Sequence, residues 1–215
     1  MDRRRVHGLK ARLRQFDERF GVETYVEVTP ADLGIGSPKL QANGYVAVSQ
    51  ENFALAMATL DIRHEDFVFV DLGSGKGKAL FLASEYPFEQ IIGVELSPAL
   101  HQVAVGNVAR YSSPTQRCQN IRSICQDATD FEFPLRPLVV FLYNPFGPDI
   151  LRNVLDRLEL SLAGHPRPCM VVLVYPLWAQ VVRERGHFVE CAASRFFTTF
   201  RYRADARAQA SVGGT

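Results

Sequence analysis

The sequence predicts a doubly wound α/β fold, with a mostly parallel seven-stranded sheet ending in an antiparallel hairpin. Three observations predict it. Short β-branched and aromatic runs alternate with helix-length segments from Phe67 to Tyr175, as in a parallel sheet covered on both faces. The first of these runs feeds a glycine-rich turn that opens a helix. The last two runs, near His187 to Cys191 and Phe196 to Tyr202, stand too close for a crossover helix. They must pair antiparallel.

Along the chain, Val6, Leu9, Leu13 and Phe16 share one face of a helix expected over about 6–20, which Gly21 stops. Residues 29 to 44, rich in Pro, Gly and Asn, read as loop. Ser49 is a cap for a second helix reaching Leu60. Strands follow at Phe67 to Asp71, Ile91 to Glu95, Ile121 to Gln126, Leu138 to Tyr143 and Cys169 to Tyr175. Helices are expected between them: about Lys76 to Glu85, ended before Pro87; Ser97-Pro98 to about Tyr111; and from Pro148, with Ile150, Leu151, Val154, Leu155 and Leu158 at helical spacing. A short helix around Leu177 to Glu184 comes next. The expected division is a helical extension and lid over 1–60, one α/β domain over 61–203 and a disordered tail over 204–215.

Composition narrows the partners. The 215 residues carry a net charge of +1, so nucleic acid is possible but not indicated. Arg3, Arg4, Arg5, Lys10, Arg12, Arg14 and Arg19 do crowd the start, as a solvated face, a docking surface or a cover over a ligand. No apolar run approaches the ~20 residues that span a bilayer. The start lacks the apolar stretch of a signal peptide, and its acids count against a mitochondrial presequence, so a cytoplasmic place is expected. The four cysteines form no Cys-x-x-Cys pair and read as reduced thiols, with Cys125 and Cys169 in the core. The five histidines lack metal-ligand spacing, and no metal is expected.

The sharpest signal is Asp71-Leu72-Gly73-Ser74-Gly75-Lys76-Gly77, directly after a strand. Glycines let backbone turn tightly and approach a ligand, and amides free at a helix start face a carboxylate or phosphate. A dinucleotide fingerprint needs a sixth-position glycine where Lys78 stands. A P-loop fails at Leu72 and at Ala79. Glu95, about 20 residues past the turn, suits both hydroxyls of an adenosine ribose. Asp127 suits an adenine amino group, and the Ala128 amide a ring nitrogen. Three acids thus end three successive strands. Asn144-Pro145-Phe146-Gly147-Pro148 leaves the fourth strand, where Asn144 orients an amine and Phe146 walls its channel, or where the segment is a plain turn. Tyr175 and Trp178 line a substrate pocket or pack the core.

Phe69-Val70-Asp71-Leu72-Gly73-Ser74-Gly75-x-Gly77, Gly93-Val94-Glu95 and Asn144-Pro145-Phe146-Gly147-Pro148-Asp149 resemble segments of the class I adenosylmethionine-dependent methyltransferases. Within that class they look like the non-SET lysine methyltransferases of the disruptor-of-telomeric-silencing type. The resemblance runs from about Tyr45 to Tyr175. It implies a Rossmann-like sheet and S-adenosylmethionine held by Asp71, Gly73, Ser74, Gly75, Gly77, Glu95, Asp127 and Ala128. It also implies a channel lined by Asn144 and Phe146, with Tyr45 reaching over the methionine end, and a protein or small-molecule methyl acceptor, lysine favoured. The family's Tyr-Gly-Glu-Thr segment is Tyr45-Val46-Ala47-Val48 here. Asn144-Pro145 is also similar to the Asn-Pro-Pro-aromatic motif of enzymes that methylate planar amines. Two other function classes stay open: a nicotinamide oxidoreductase, and a non-catalytic adenosylmethionine-binding module.

Overall fold

The computed structural model describes residues 3–29 and 44–203, with side chains from residue 10 onward. Most of the expected 29–44 loop and the expected tail over 204–215 lie outside the described residues.

Seven strands form one sheet: β1 (Val68–Leu72), β2 (Gln90–Glu95), β3 (Ile121–Cys125), β4 (Leu138–Leu142), β5 (Cys169–Val174), β6 (Phe188–Ala193) and β7 (Phe197–Tyr202). Their order is β3-β2-β1-β4-β5-β7-β6. β1 pairs parallel with β2 and β4, β2 with β3, and β4 with β5. β7 inserts antiparallel between β5 and β6. The chain leaves β1 first toward β3, then returns to β4 on its other side. The order therefore reverses at β1 and β4, and a crevice opens beyond their carboxyl ends.

Alternation along the strands feeds two cores. Phe69, Ile91, Val139, Phe141, Met170 and Val172 face one side, with α1 (Arg3–Phe20), α2 (Gln50–Met57) and α3 (Lys78–Ala83). Val68, Val70, Ile92, Val140, Val171 and Leu173 face the other, with α5 (Pro148–Gly164) and α6 (Ala179–Arg183). α4 (Pro98–Arg110) packs along β2 and β3. α2 shares a core with the sheet, since Phe53 packs against Phe69 and Phe141 at 6.0 and 5.3 Å between ring centroids.

The caps are where the side chains put them. Ser49 Oγ accepts from Asn52 N at 3.1 Å, and Ser97 Oγ from Leu100 N at 3.4 Å, with Pro98 in the first turn. Several expectations shift, and α2 ends at Met57 rather than reaching Leu60. β1 starts one residue late, because Phe67 N closes a short 3-10 turn over His64–Asp66 by donating to His64 O. α3 spans 78–83 rather than 76–85, because Gly77 caps it at φ 89, outside helical space. Cys125 is exposed, not core: β3 is an edge strand with only β2 beside it, and its outer positions meet solvent. Cys118 is buried instead. Cys169 is buried as expected, and burial pushes its thiol up to about 12.

Candidate active site

Asp71 and Leu72 end β1, and the glycine turn follows at the crevice. Two glycines there are fixed by space as well as backbone. Gly73 has φ 79 and Gly75 φ 54, where side chains are strained. A Cβ on Gly73 would overlap Pro145, and one on Gly75 would overlap the ring of Tyr45. The turn is thus sandwiched between the exit of β4 and the N-terminal region.

Four of its amides are taken within the protein. Gly73 N and Ser74 N both donate to Val94 O, at 2.8 and 3.0 Å. Gly75 N donates to Glu95 Oε2 at 2.8 Å, and Gly77 N to Ser74 O at 2.9 Å. The expectation that they face a ligand's carboxylate fails for these four, because β2 lies alongside and accepts three of them while Ser74 O accepts the fourth. Ser74 Oγ, by contrast, is buried at the cleft without a hydrogen-bond partner.

Asp71, Glu95 and Asp127 come together in one cleft. Gly73, Ser74, Gly75, Ala128, Tyr45, Tyr143 and Phe146 also line it. Gly77 does not, being turned under as the cap of α3. Asp71 is 3% exposed, and burial, then the nearby Glu95, hold its carboxyl well above the usual carboxylate range. Burial also raises Glu95, partly offset by the amides it accepts. Its Oε1 takes Ser97 N at 2.8 Å, so each oxygen keeps lone-pair capacity for a further donor. Asp127 is half-committed: its Oδ1 accepts Thr129 N at 2.8 Å and Thr129 Oγ1 at 2.7 Å.

The pair of buried, mutually repelling carboxylates fits a ligand that brings cations. Adenosylmethionine carries a sulfonium, an ammonium and two ribose hydroxyls, and the donor set suits it. Among the described residues, no cluster of three or more His, Cys, Asp or Glu side chains is arranged for a metal.

Tyr45 is covered rather than open. Its ring lies over Gly75, and its hydroxyl donates to Thr24 O at 2.7 Å. Val28 and Tyr45 form an antiparallel bridge, so the chain straps the turn. Two residues the sequence reading passed over build this strap. Asp17 accepts Thr24 N, Thr24 Oγ1 at 2.6 Å and Tyr25 N at 2.8 Å, reversing the chain after α1. Asn107, fully buried on α4, donates to Lys76 O at 2.9 Å and Glu23 O at 3.0 Å and accepts Glu23 N at 2.9 Å. Nothing in the spacing marks Asn107. Lys78 was also missed, although Lys78-Ala-Leu-Phe-Leu-Ala83 is a helix buried all round, where a lysine must be buried too.

At the exit of β4, Asn144 adopts φ 45, a left-handed turn that Asn tolerates. It lines a smaller pocket next to the cleft, with Leu142, Tyr175 and Trp178. Pro145 and Phe146 line both. The Tyr143 and Tyr175 rings stand 5.5 Å apart between the two.

The solved structure of a 23S rRNA methyltransferase, ErmE, matches with a TM-score of 0.52 and 16% identity, over 79% of this chain and 80% of that one. A precorrin-6y C5,15-methyltransferase from Geobacter metallireducens matches with 0.52 and 16%, over 78% and 93%. The fold is the class I methyltransferase fold. A glycopeptide N-methyltransferase, MtfA, solved with adenosylmethionine, shares it with a TM-score of 0.51 and 12% identity, over 72% and 93%. The model of a family described as putative methyltransferase matches residues 65–145, the stretch of the class I fold that holds all three cleft acids. None of the curated proteins compared matches the chain. The likeness to non-SET lysine methyltransferases goes further than these findings, which reach the class I fold and a methyltransferase family. No helix among the described residues is long and apolar enough to cross a membrane.

Proposed function

We propose that the protein is an S-adenosylmethionine-dependent methyltransferase acting on a nitrogen nucleophile, with protein lysine the favoured acceptor. The observation that carries this reading is the convergence of Asp71, Glu95 and Asp127 on one cleft beside the glycine turn. When bound, the cofactor supplies an electrophilic methyl on a sulfonium. The chain's own residues position and desolvate. The open lone pairs of Glu95 take the ribose hydroxyls, and Asp127 with Ala128 takes the adenine edge. Asp71 faces the ammonium. Tyr45, fastened to Thr24 and Val28, covers the turn and excludes water, so it acts by position rather than through its hydroxyl.

Transfer in line needs an aligned, deprotonated amine. Tyr143, Pro145 and Phe146 make an apolar wall where the two pockets meet, and desolvation there lowers an amine's pKa. Asn144, across Pro145, accepts the amine's hydrogens from the smaller pocket's side. An RNA acceptor is the second reading, raised by the likeness to ErmE. Against it, Lys10, Arg12 and Arg14 each face a carboxylate, of Glu27, Glu51 and Glu18, so that part of α1 offers phosphates no unopposed charge.

The test is incubation with isotopically labelled methyl donor and a fractionated lysate. Label is expected in protease-sensitive material that hydrolyses to methyl-lysine. Label in nuclease-sensitive material would move the acceptor to RNA, and label in the low-mass filtrate to a small molecule. Binding of the donor without label in any fraction would leave a non-catalytic module.

A further inference from the structure

We infer that Lys78 is the residue that holds the carboxylate of the amino-acid end of the methyl donor. This deepens the cofactor reading above and rests on it. Lys78 is the one basic side chain among the described residues that line the cleft. It is 2% exposed, and its Nζ has no hydrogen-bond partner. The ammonium lies over the Phe16 ring, 2.8 Å from the centroid. A ring face offsets only part of the water lost on burial.

Among the described residues, no carboxylate is hydrogen-bonded to it. Asp17 and Glu85 are the acids that act on Lys78, and both are engaged. Asp17 accepts three bonds from Thr24 and Tyr25, and Glu85 accepts Thr115 Oγ1 at 3.1 Å. Desolvation outweighs them and lowers Lys78 to about 7. Lys76 does not compete for the ligand, because it pairs with Glu23 at 2.7 Å and stands outside the cleft lining. The Gly73, Ser74, Gly75 and Gly77 amides do not compete either, since they are taken by Val94, Glu95 and Ser74. Lys78 therefore lines the cleft as a buried base that no described residue hydrogen-bonds, and a ligand carboxylate binding there would supply that partner. A lysine retained only for packing gains nothing from a charge it cannot extend to solvent.

The experiment is a calorimetric titration of the full chain with adenosylmethionine and with decarboxylated adenosylmethionine, which differ only in that carboxylate. The wild type is expected to prefer the carboxylated ligand at least tenfold. Lys78→Met should erase the preference, Lys78→Arg should retain part of it, and Lys78→Met should melt no lower than wild type without ligand. A wild type that binds both ligands equally overturns the assignment while the cofactor reading stands, and needs no variant. A Lys78→Met protein that keeps the full preference also overturns it. A wild type that binds neither ligand removes the cofactor reading and this assignment together.

Discussion

At Gly75, one added methyl group meets the Tyr45 ring in a backbone conformation that already disfavours it. Gly75→Ala should therefore cost about 1–2 kcal/mol from the left-handed φ alone, plus the overlap. Adding Tyr45→Ala should recover the overlap but not the backbone cost, which urea unfolding of both variants resolves. Glu95→Ala removes the acceptor of two buried amides, Gly75 N and Ser97 N. A loss of about 1–3 kcal/mol per amide left unpaired is expected by urea unfolding, with donor affinity falling at least tenfold.

Asp71 gives a pH signature. Its carboxyl is raised above the ordinary 3.8, so the folded, ligand-free protein binds a proton that the unfolded chain releases. Its contribution is full below 3.8 and is lost as pH rises through the raised value. Asp71→Asn should match wild type in thermal melts at the acid end of that window and become progressively more stable than it as pH climbs. A constant or shrinking difference would contradict the burial argument. At this scale the sequence disclosed which acids meet, because each ends a strand of known polarity. It did not disclose that Glu95 already holds two amides or that Asp127 is turned onto Thr129, since those bonds depend on loop geometry.

Among the elements, boundaries followed local chemistry and missed tertiary effects. Ser49 and Ser97 cap where their side chains indicate. α3 lost its first turn to Gly77, and β1 its first residue to the His64–Asp66 turn. Cys125 was misjudged because a strand's position in the sheet, edge or centre, is not written in its own residues. The link between α4 and the strap was invisible for the same reason: Asn107 and Glu23 stand 84 positions apart. Asn107→Ala leaves the backbone of Glu23 and Lys76 short of partners inside the protein. A loss of about 1–3 kcal/mol in urea unfolding is expected, with weaker donor binding as the strap loosens. Unchanged stability and affinity would show that the strap is held elsewhere.

For the molecule as a whole, repeated strand-helix units and a terminal hairpin specified the class, and the reversal at β1 and β4 placed the cleft. The insertion of β7 between β5 and β6 was not legible, because an antiparallel pair can dock by either strand. The central claim is that the crevice binds an adenosine-bearing sulfonium compound, and calorimetric titration of the intact chain with adenosylmethionine tests it most directly. The account predicts saturable 1:1 binding in the micromolar range that adenosylhomocysteine competes away and NADH does not. A folded protein that gives no saturable heat with adenosylmethionine, or that yields the site to NADH, would contradict it.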